Sequence, residues 1–140
     1  MKEAKYIWMD GKLVAWKDAT VHVLTHTLHY GNGVFEGTRA YKTDKGLAIF
    51  KLREHTKRLL DSAKITAITP NFTLEELEQA QVELLRSNDF QSNVYLRPLI
   101  YLGYGIMGLY HAKAPVNTAI QPGNGVRILV KRGWKRGSRS

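Results

Sequence analysis

The chain has no cysteine, which excludes disulfides and thiolate metal sites and fits a reducing compartment. No apolar run approaches the roughly 20 residues that span a bilayer, so no membrane partner is expected. The opening residues, Met1-Lys2-Glu3-Ala4-Lys5-Tyr6, lack the apolar stretch of a secretory signal, and a cytoplasmic location is expected. Acidic residues are absent from the last 20 positions, where Arg127, Lys131, Arg132, Lys135, Arg136 and Arg139 contribute +6. The first 120 residues carry 15 Lys and Arg against 12 acids, only +3, so the net +9 belongs mainly to the tail. A basic tail on a near-neutral body raises one alternative, a small basic nucleic-acid-binding module.

What is present fits one globular domain: 140 residues, 44% of them hydrophobic. Tyr6-Ile7-Trp8-Met9, the Asp10-Gly11 turn signal and Leu13-Val14-Ala15-Trp16 predict a β-hairpin over residues 5–16. Residues 20–33 read as irregular or briefly helical. Val34 to Lys42 reads as one strand, with Val34, Glu36, Thr38 and Ala40 opposing Phe35, Gly37, Arg39 and Tyr41. A turn over residues 43–46 leads to a strand at Leu47–Phe50. The period then turns helical from Leu52 to Ile65, with Leu52, Leu59, Leu60 and Ala63 as the stripe. Thr73 and Glu76 form a capping box for a helix to about Ser87, with Leu74, Leu77, Ala80, Leu84 and Leu85 inward. Asn93–Leu102 is β-rich, and Val116–Ile120 begins another strand. The predicted class is α+β, a mainly antiparallel sheet with two helices on one face.

Three polar constellations stand out. His22, His26 and His29, spaced by four and three, can share a helical face. No carboxylate sits at a matching offset, and buried histidines often satisfy main-chain groups, so no metal site is assigned. Gly31-Asn32-Gly33 precedes a strand, whereas a dinucleotide-binding glycine loop follows one and opens a helix. Arg58 stands beside the apolar stripe of the first long helix, where it is either part of a solvated basic face or a phosphate-reaching guanidinium. Tyr95 and Arg97 share one face of a strand inside an apolar segment. A buried guanidinium needs a partner, either a structural acid or a ligand carboxylate.

These residues, taken in order, resemble the class-IV, fold-type-IV pyridoxal-phosphate aminotransferases. The resemblance is carried by Tyr6-Ile7-Trp8, His26-Thr27-Leu28-His29-Tyr30-Gly31, Val34-Phe35-Glu36-Gly37-Thr38-Arg39, Glu54-His55, Arg58-Leu59, Ser62-Ala63-Lys64, Tyr95-Leu96-Arg97-Pro98-Leu99 and Gly105-Ile106-Met107-Gly108. It covers residues 5–120, and the pairing of Tyr95 with Arg97 is most similar to branched-chain amino acid aminotransferases. D-amino-acid transaminases and aminodeoxychorismate lyases share the fold and are the same-class alternatives.

The resemblance implies transfer of an amino group between Leu, Ile or Val and 2-oxoglutarate, with pyridoxal 5'-phosphate as cofactor. It implies that Arg58 holds the cofactor phosphate. Tyr30, Phe35, Tyr95 and Arg97 would line the substrate pocket, Arg97 meeting the distal carboxylate of glutamate, and Gly37 would permit close approach. The Gly105–Leu109 loop, with Met107 and Leu109, would reach the neighbouring subunit's site in a dimer or larger homo-oligomer. The lysine that carries the cofactor lies well past residue 120 in the family pattern, and Lys57 and Lys64 do not match it. A truncated, inactive fragment is therefore expected.

The family domain is expected to occupy residues 1–120 and a non-family tail residues 121–140. Back-translated with permitted codons and one base restored ahead of Gln121, the tail reads Ala-Ala-Trp-Glu-Trp-Gly-Ala-Tyr-Leu-Gly-Glu-Glu-Gly-Leu-Glu-Lys-Gly-Ile-Lys-Val, which resembles the family's next segment. A frameshift is expected to account for the tail, which removes the main support for a nucleic-acid partner.

Overall fold

The computed structural model describes residues 3–123. Its first element is the expected hairpin, β1 (Tyr6–Met9) and β2 (Lys12–Ala15). Asp10 and Gly11 turn it at φ 47° and 93°, the positive values that a two-residue turn needs to match strand twist. A short 3-10 turn, Trp16–Asp18, and helix α1 (His26–Tyr30) follow, the latter ending on Gly31 at φ 68°. The chain then forms β3 (Gly33–Phe35), β4 (Thr38–Thr43) and β5 (Gly46–Phe50). Helices α2 (Leu52–Ile65) and α3 (Leu74–Asn88) precede β6 (Val94–Leu102) and β7 (Val116–Gly123).

All seven strands join one antiparallel sheet in the order β2-β1-β7-β6-β4-β5, with β3 also paired to β6. The single strand expected over residues 34–42 is split into β3 and β4, and the reason lies across the ladder. Phe35 faces Leu99 and Thr38 faces Leu96, so both pieces keep one register on β6. Between them the Glu36 N–H donates to the Pro98 carbonyl at 3.0 Å, but proline has no N–H to return. The missing rung interrupts the strand at Glu36 and Gly37.

Strand alternation gives the sheet two faces. Val94, Leu96, Ile100 and Leu102 of β6 are buried with Ile120, Ala40 and Trp8 on the side covered by α2 and α3. The helices meet them with Leu59, Ala63, Leu77, Ala80, Leu84 and Leu85. The capping box at Thr73 forms as read: its hydroxyl accepts from the Glu76 N–H at 3.2 Å, and the Glu76 carboxylate accepts from the Thr73 N–H at 2.8 Å. Two buried polar residues on α3 were not anticipated. Gln81 donates to Thr56 Oγ1 on α2 at 3.0 Å. The Asn88 amide accepts from the Lys5 and Tyr6 N–H groups and donates to the Tyr6 and Leu84 carbonyls, pinning the end of α3 to β1.

The face away from α2 and α3 carries Tyr95, Arg97, Leu99 and Tyr101 of β6. β7 runs through Gln121, Pro122 and Gly123, three residues past the expected boundary at 120, because ladder pairing uses the main chain. Of the tail expected at residues 121–140, residues 124–140 lie outside the described residues.

Candidate functional site

The alternation of β3 and β4 continues across their interruption. Phe35 and Gly37 therefore face away from the helices, while Glu36 between them faces α2. This three-residue stretch touches two clusters of polar side chains, one on each side of the sheet.

On the open side Arg97 lies with its guanidinium carbon 4.3 Å from the centre of the Phe35 ring and 5.3 Å from that of Tyr95. Its Nε and Nη2 donate to the Tyr95 hydroxyl at 3.1 and 2.7 Å. No ion pair to Arg97 forms among the described residues. Of the two partners allowed by its sequence context, the structural acid is missing within residues 3–123. A flat cation between two rings, capped by one phenol, presents unused N–H donors suited to a carboxylate. Gly37 stands where a Cβ would overlap Tyr95 Oη and come within 3.0 Å of two ring carbons. The atoms closest to that position are those of the same phenol that accepts from Arg97.

On the helix side Arg58 makes a two-point ion pair with Glu36: Nε donates to Oε1, and Nη2 donates to Oε2 at 2.8 Å. One turn earlier on α2, His55 donates from Nδ1 to Oε2 at 3.0 Å, which assigns the ring proton to that nitrogen. The Arg58 bond, and to a smaller extent His55, hold the Glu36 carboxyl below its ordinary value of 4.5 against the opposing effect of burial. The same bond raises Arg58 further above its already high range. Arg58 is thus neither a free solvated cation nor a buried one. Its side chain is 66% exposed, and its Nη1 edge has no partner among the described residues, which leaves N–H donors of the kind that pair with an anion.

The remaining expected residues gather around the loop between β6 and β7. The Gly108 carbonyl accepts from His26 Nε2 at 2.8 Å, and the Gly108 N–H donates to the Tyr30 hydroxyl at 3.1 Å. His26 is fully buried and Tyr30 packs on it, their ring centres 4.5 Å apart. Two clamps from α1 therefore hold the loop, and its Met107 and Leu109 side chains stay exposed. His29 Nε2 donates to the Val23 carbonyl, and His22 Nδ1 accepts from the Leu24 N–H. Each histidine of the sequence constellation thus serves a main-chain group. The structure brings together Phe35, Gly37, Tyr95 and Arg97, sets Tyr30, Met107 and Leu109 along one loop, and places Arg58 behind Glu36. Sequence reasoning missed the roles of Glu36 and His55. The available signal was an acid of helix-facing parity flanked by Phe35 and Gly37, with His55 and Arg58 three apart on the covering helix.

The family of amino-transferase class IV matches residues 33–122. The branched-chain-amino-acid aminotransferase of Pseudomonas aeruginosa is 49% identical over 114 residues, 81% of this chain and 37% of that relative. The crystal structure of the Escherichia coli branched-chain amino acid aminotransferase superposes with a TM-score of 0.83 at 41% identity, covering 88% of this chain and 41% of that one. That of the T.th. branched-chain amino acid aminotransferase with pyridoxamine 5'-phosphate gives 0.77 at 44% identity, covering 86% and 41%. This chain spans little more than a third of the curated relative's length. With its antiparallel sheet under two helices and a family match over most of that sheet, the chain belongs to the class IV aminotransferases.

Proposed function

We propose that this chain is the N-terminal domain of a branched-chain amino acid aminotransferase, which moves an amino group between Leu, Ile or Val and 2-oxoglutarate using pyridoxal 5'-phosphate. The observation that carries this reading is Arg97: a cation on the open face, bracketed by Phe35 and Tyr95, with no acid paired to it among the described residues. Arg97 receives the second carboxylate of glutamate or 2-oxoglutarate, which leucine lacks. When leucine occupies the pocket, Phe35, Tyr30 and Tyr95 supply apolar wall for its side chain. Arg58 holds the cofactor phosphate through its outward edge. The cofactor, when bound, supplies the electron sink that lets the substrate's α-proton leave. Arg97 and the aromatic walls orient that substrate and keep water out.

The lysine that carries the cofactor belongs, in this proposal, to the larger part of the relatives beyond the matched region, so a polypeptide of residues 1–140 alone should not transaminate. Residues 121–140 are read as an out-of-frame translation of the family's next segment, a reading that permitted codons allow and that the DNA sequence across these positions tests. The loop bearing Met107 and Leu109 reaches a second subunit of a homo-oligomer. The cytoplasm is the proposed location; no helix of the described residues is long and apolar enough to cross a membrane.

The test uses the frame-restored, full-length protein beside its Arg97→Ala variant, with glutamate and leucine as alternative amino donors. Arg97→Ala should lower kcat/KM for glutamate about tenfold more than for leucine, since the charge-assisted pair is lost only for the dicarboxylate. Equal losses for both donors would remove Arg97 from this role. Leucine-dependent activity from the purified 140-residue chain would overturn the assignment of the missing lysine.

A further inference from the structure

We propose that Glu36 is a positioning residue of the phosphate clamp: its buried carboxylate fixes the plane of the Arg58 guanidinium so that the Nη1 edge faces outward, and His55 locks that carboxylate. The inference rests on the reading of Arg58 as the phosphate-holding residue and adds the group that makes it selective.

A carboxylate beside a phosphate-binding cation looks counterproductive, because it neutralises the arginine and repels the anion. Its geometry here is that of a support. Glu36 is anchored by its own main chain, whose N–H donates to Pro98 at 3.0 Å in the gap between β3 and β4. Its side chain is only 7% exposed, so it has little freedom to follow a moving partner. Both oxygens are engaged by the Nε and Nη2 side of the fork, and Oε2 is held a second time by His55 Nδ1. Arg58 reaches this support from the helix surface on a long, flexible stem. Unsupported, that stem would have to be ordered by each arriving phosphate, at the expense of affinity. With one edge pinned, the opposite edge is preset. The Glu36–Arg58 pair is close to neutral as a unit, so recognition depends on directed N–H donors more than on net charge.

The two accounts of Glu36 predict opposite signs. If the carboxylate only competes with phosphate for Arg58, Glu36→Gln releases the cation and binding tightens. If it positions, Glu36→Gln leaves Arg58 disordered and binding weakens. The experiment is a titration of the nitrogen-15-labelled 140-residue chain with inorganic phosphate at constant ionic strength, following the Arg58 Nε–H resonance and neighbouring amides by NMR. Wild type, Glu36→Gln, Glu36→Asp and Arg58→Ala are compared, with amide dispersion reporting that each variant is folded. The expected result is about three- to tenfold weaker phosphate binding in Glu36→Gln, with smaller weakening in Glu36→Asp, which keeps the charge. The Arg58 Nε–H should also lose its protection from solvent exchange in Glu36→Gln, a readout independent of any enzymatic activity. Equal or tighter binding in Glu36→Gln overturns the positioning role. Should Glu36→Gln fail to fold, binding in Glu36→Asp as tight as in wild type has the same force. Weakening in Arg58→Ala without weakening in Glu36→Gln removes the positioning role alone. Unchanged binding in Arg58→Ala, or no saturable binding in wild type, removes the Arg58 reading and the proposal with it.

Discussion

Replacing Gly37 with alanine places a methyl group where the Tyr95 phenol stands, and the consequence can be worked through atom by atom. The new Cβ overlaps Oη and lies 3.0 Å from Cε2 and Cζ of the same ring. The ring must swing away, which breaks the 3.1 and 2.7 Å bonds from Arg97. Overpacking of this kind costs about 1–3 kcal/mol, and here about 1–2 kcal/mol, because the clash is with the tip of a part-exposed ring that can move. Loss of the two charge-assisted bonds adds about 1 kcal/mol, the low end of the usual range, because Arg97 and Tyr95 are part-exposed and water can replace the phenol. Gly37→Ala should therefore destabilise the chain by about 2–3 kcal/mol. Tyr95→Phe alone removes the acceptor and should cost about 1 kcal/mol. In the double variant the overlapped oxygen is gone and only the 3.0 Å carbon contacts need relief. Its total should be about 2 kcal/mol instead of the additive 3–4, a coupling of at least about 1 kcal/mol. Urea unfolding followed by tryptophan fluorescence measures this, since Trp8 is buried against Phe72 with ring centres 5.0 Å apart. With a slope near 2 kcal/mol per molar, Gly37→Ala should lower the midpoint by about 1 M. Strict additivity, or a neutral Gly37→Ala, would show that the Gly37–Tyr95–Arg97 contact is not what requires glycine there.

Acid should destabilise the protein partly through Glu36. Its folded carboxyl lies below the ordinary value of 4.5, so the stabilisation is complete above that pH and is lost as pH falls through the lower folded value. Urea midpoints between pH 6 and 3 should therefore drop more steeply for wild type than for Glu36→Gln, and parallel profiles would deny the carboxylate this role. Pro98→Ala should restore the N–H missing opposite Glu36. The bond gained and the chain entropy lost are each about 1 kcal/mol, so stability should barely change while the amide at position 98 becomes protected from hydrogen exchange. Rapid exchange at that amide would mean that the interruption between β3 and β4 has another cause.

The elements with strong local signals were legible before any tertiary structure. Helix α2 follows from its apolar period, α3 from Thr73 and Glu76, and the first hairpin from Asp10-Gly11. Each signal acts within one or two turns of chain, where a single residue decides the backbone's partners. The split of the strand over residues 34–42 was not legible in the same way. Its cause is Pro98, about sixty positions away, and it becomes visible only once Glu36 is known to face Pro98 in the ladder. Gln81 and Asn88 escaped notice for a related reason. They share with Leu77 and Leu84 the helix face that meets the core, spaced by three and four, but polarity hid them from an apolar stripe. Their burial is tolerated because Thr56, Leu77 and Leu84 on the helices and Lys5 and Tyr6 near β1 supply hydrogen-bond partners.

The candidate site shows the same division between parity and partnership. Strand alternation separates Glu36 from Phe35 and Gly37 in the sequence itself, so it was clear that these neighbours face opposite ways. Which groups they would meet was set by the sheet order and by the rotation of α2 about its axis. With β6 beside β3 and β4, Arg97 comes to rest on Phe35 and Tyr95 comes to rest against Gly37. With α2 crossing behind, Arg58 and His55 converge on Glu36. The two cationic groups therefore share one stretch of backbone that the ladder holds at Glu36 through a single bond to Pro98. The Arg58–Glu36 pair on the helix side and the Tyr95–Arg97 pair on the open side thus rest against the same three residues, Phe35 to Gly37.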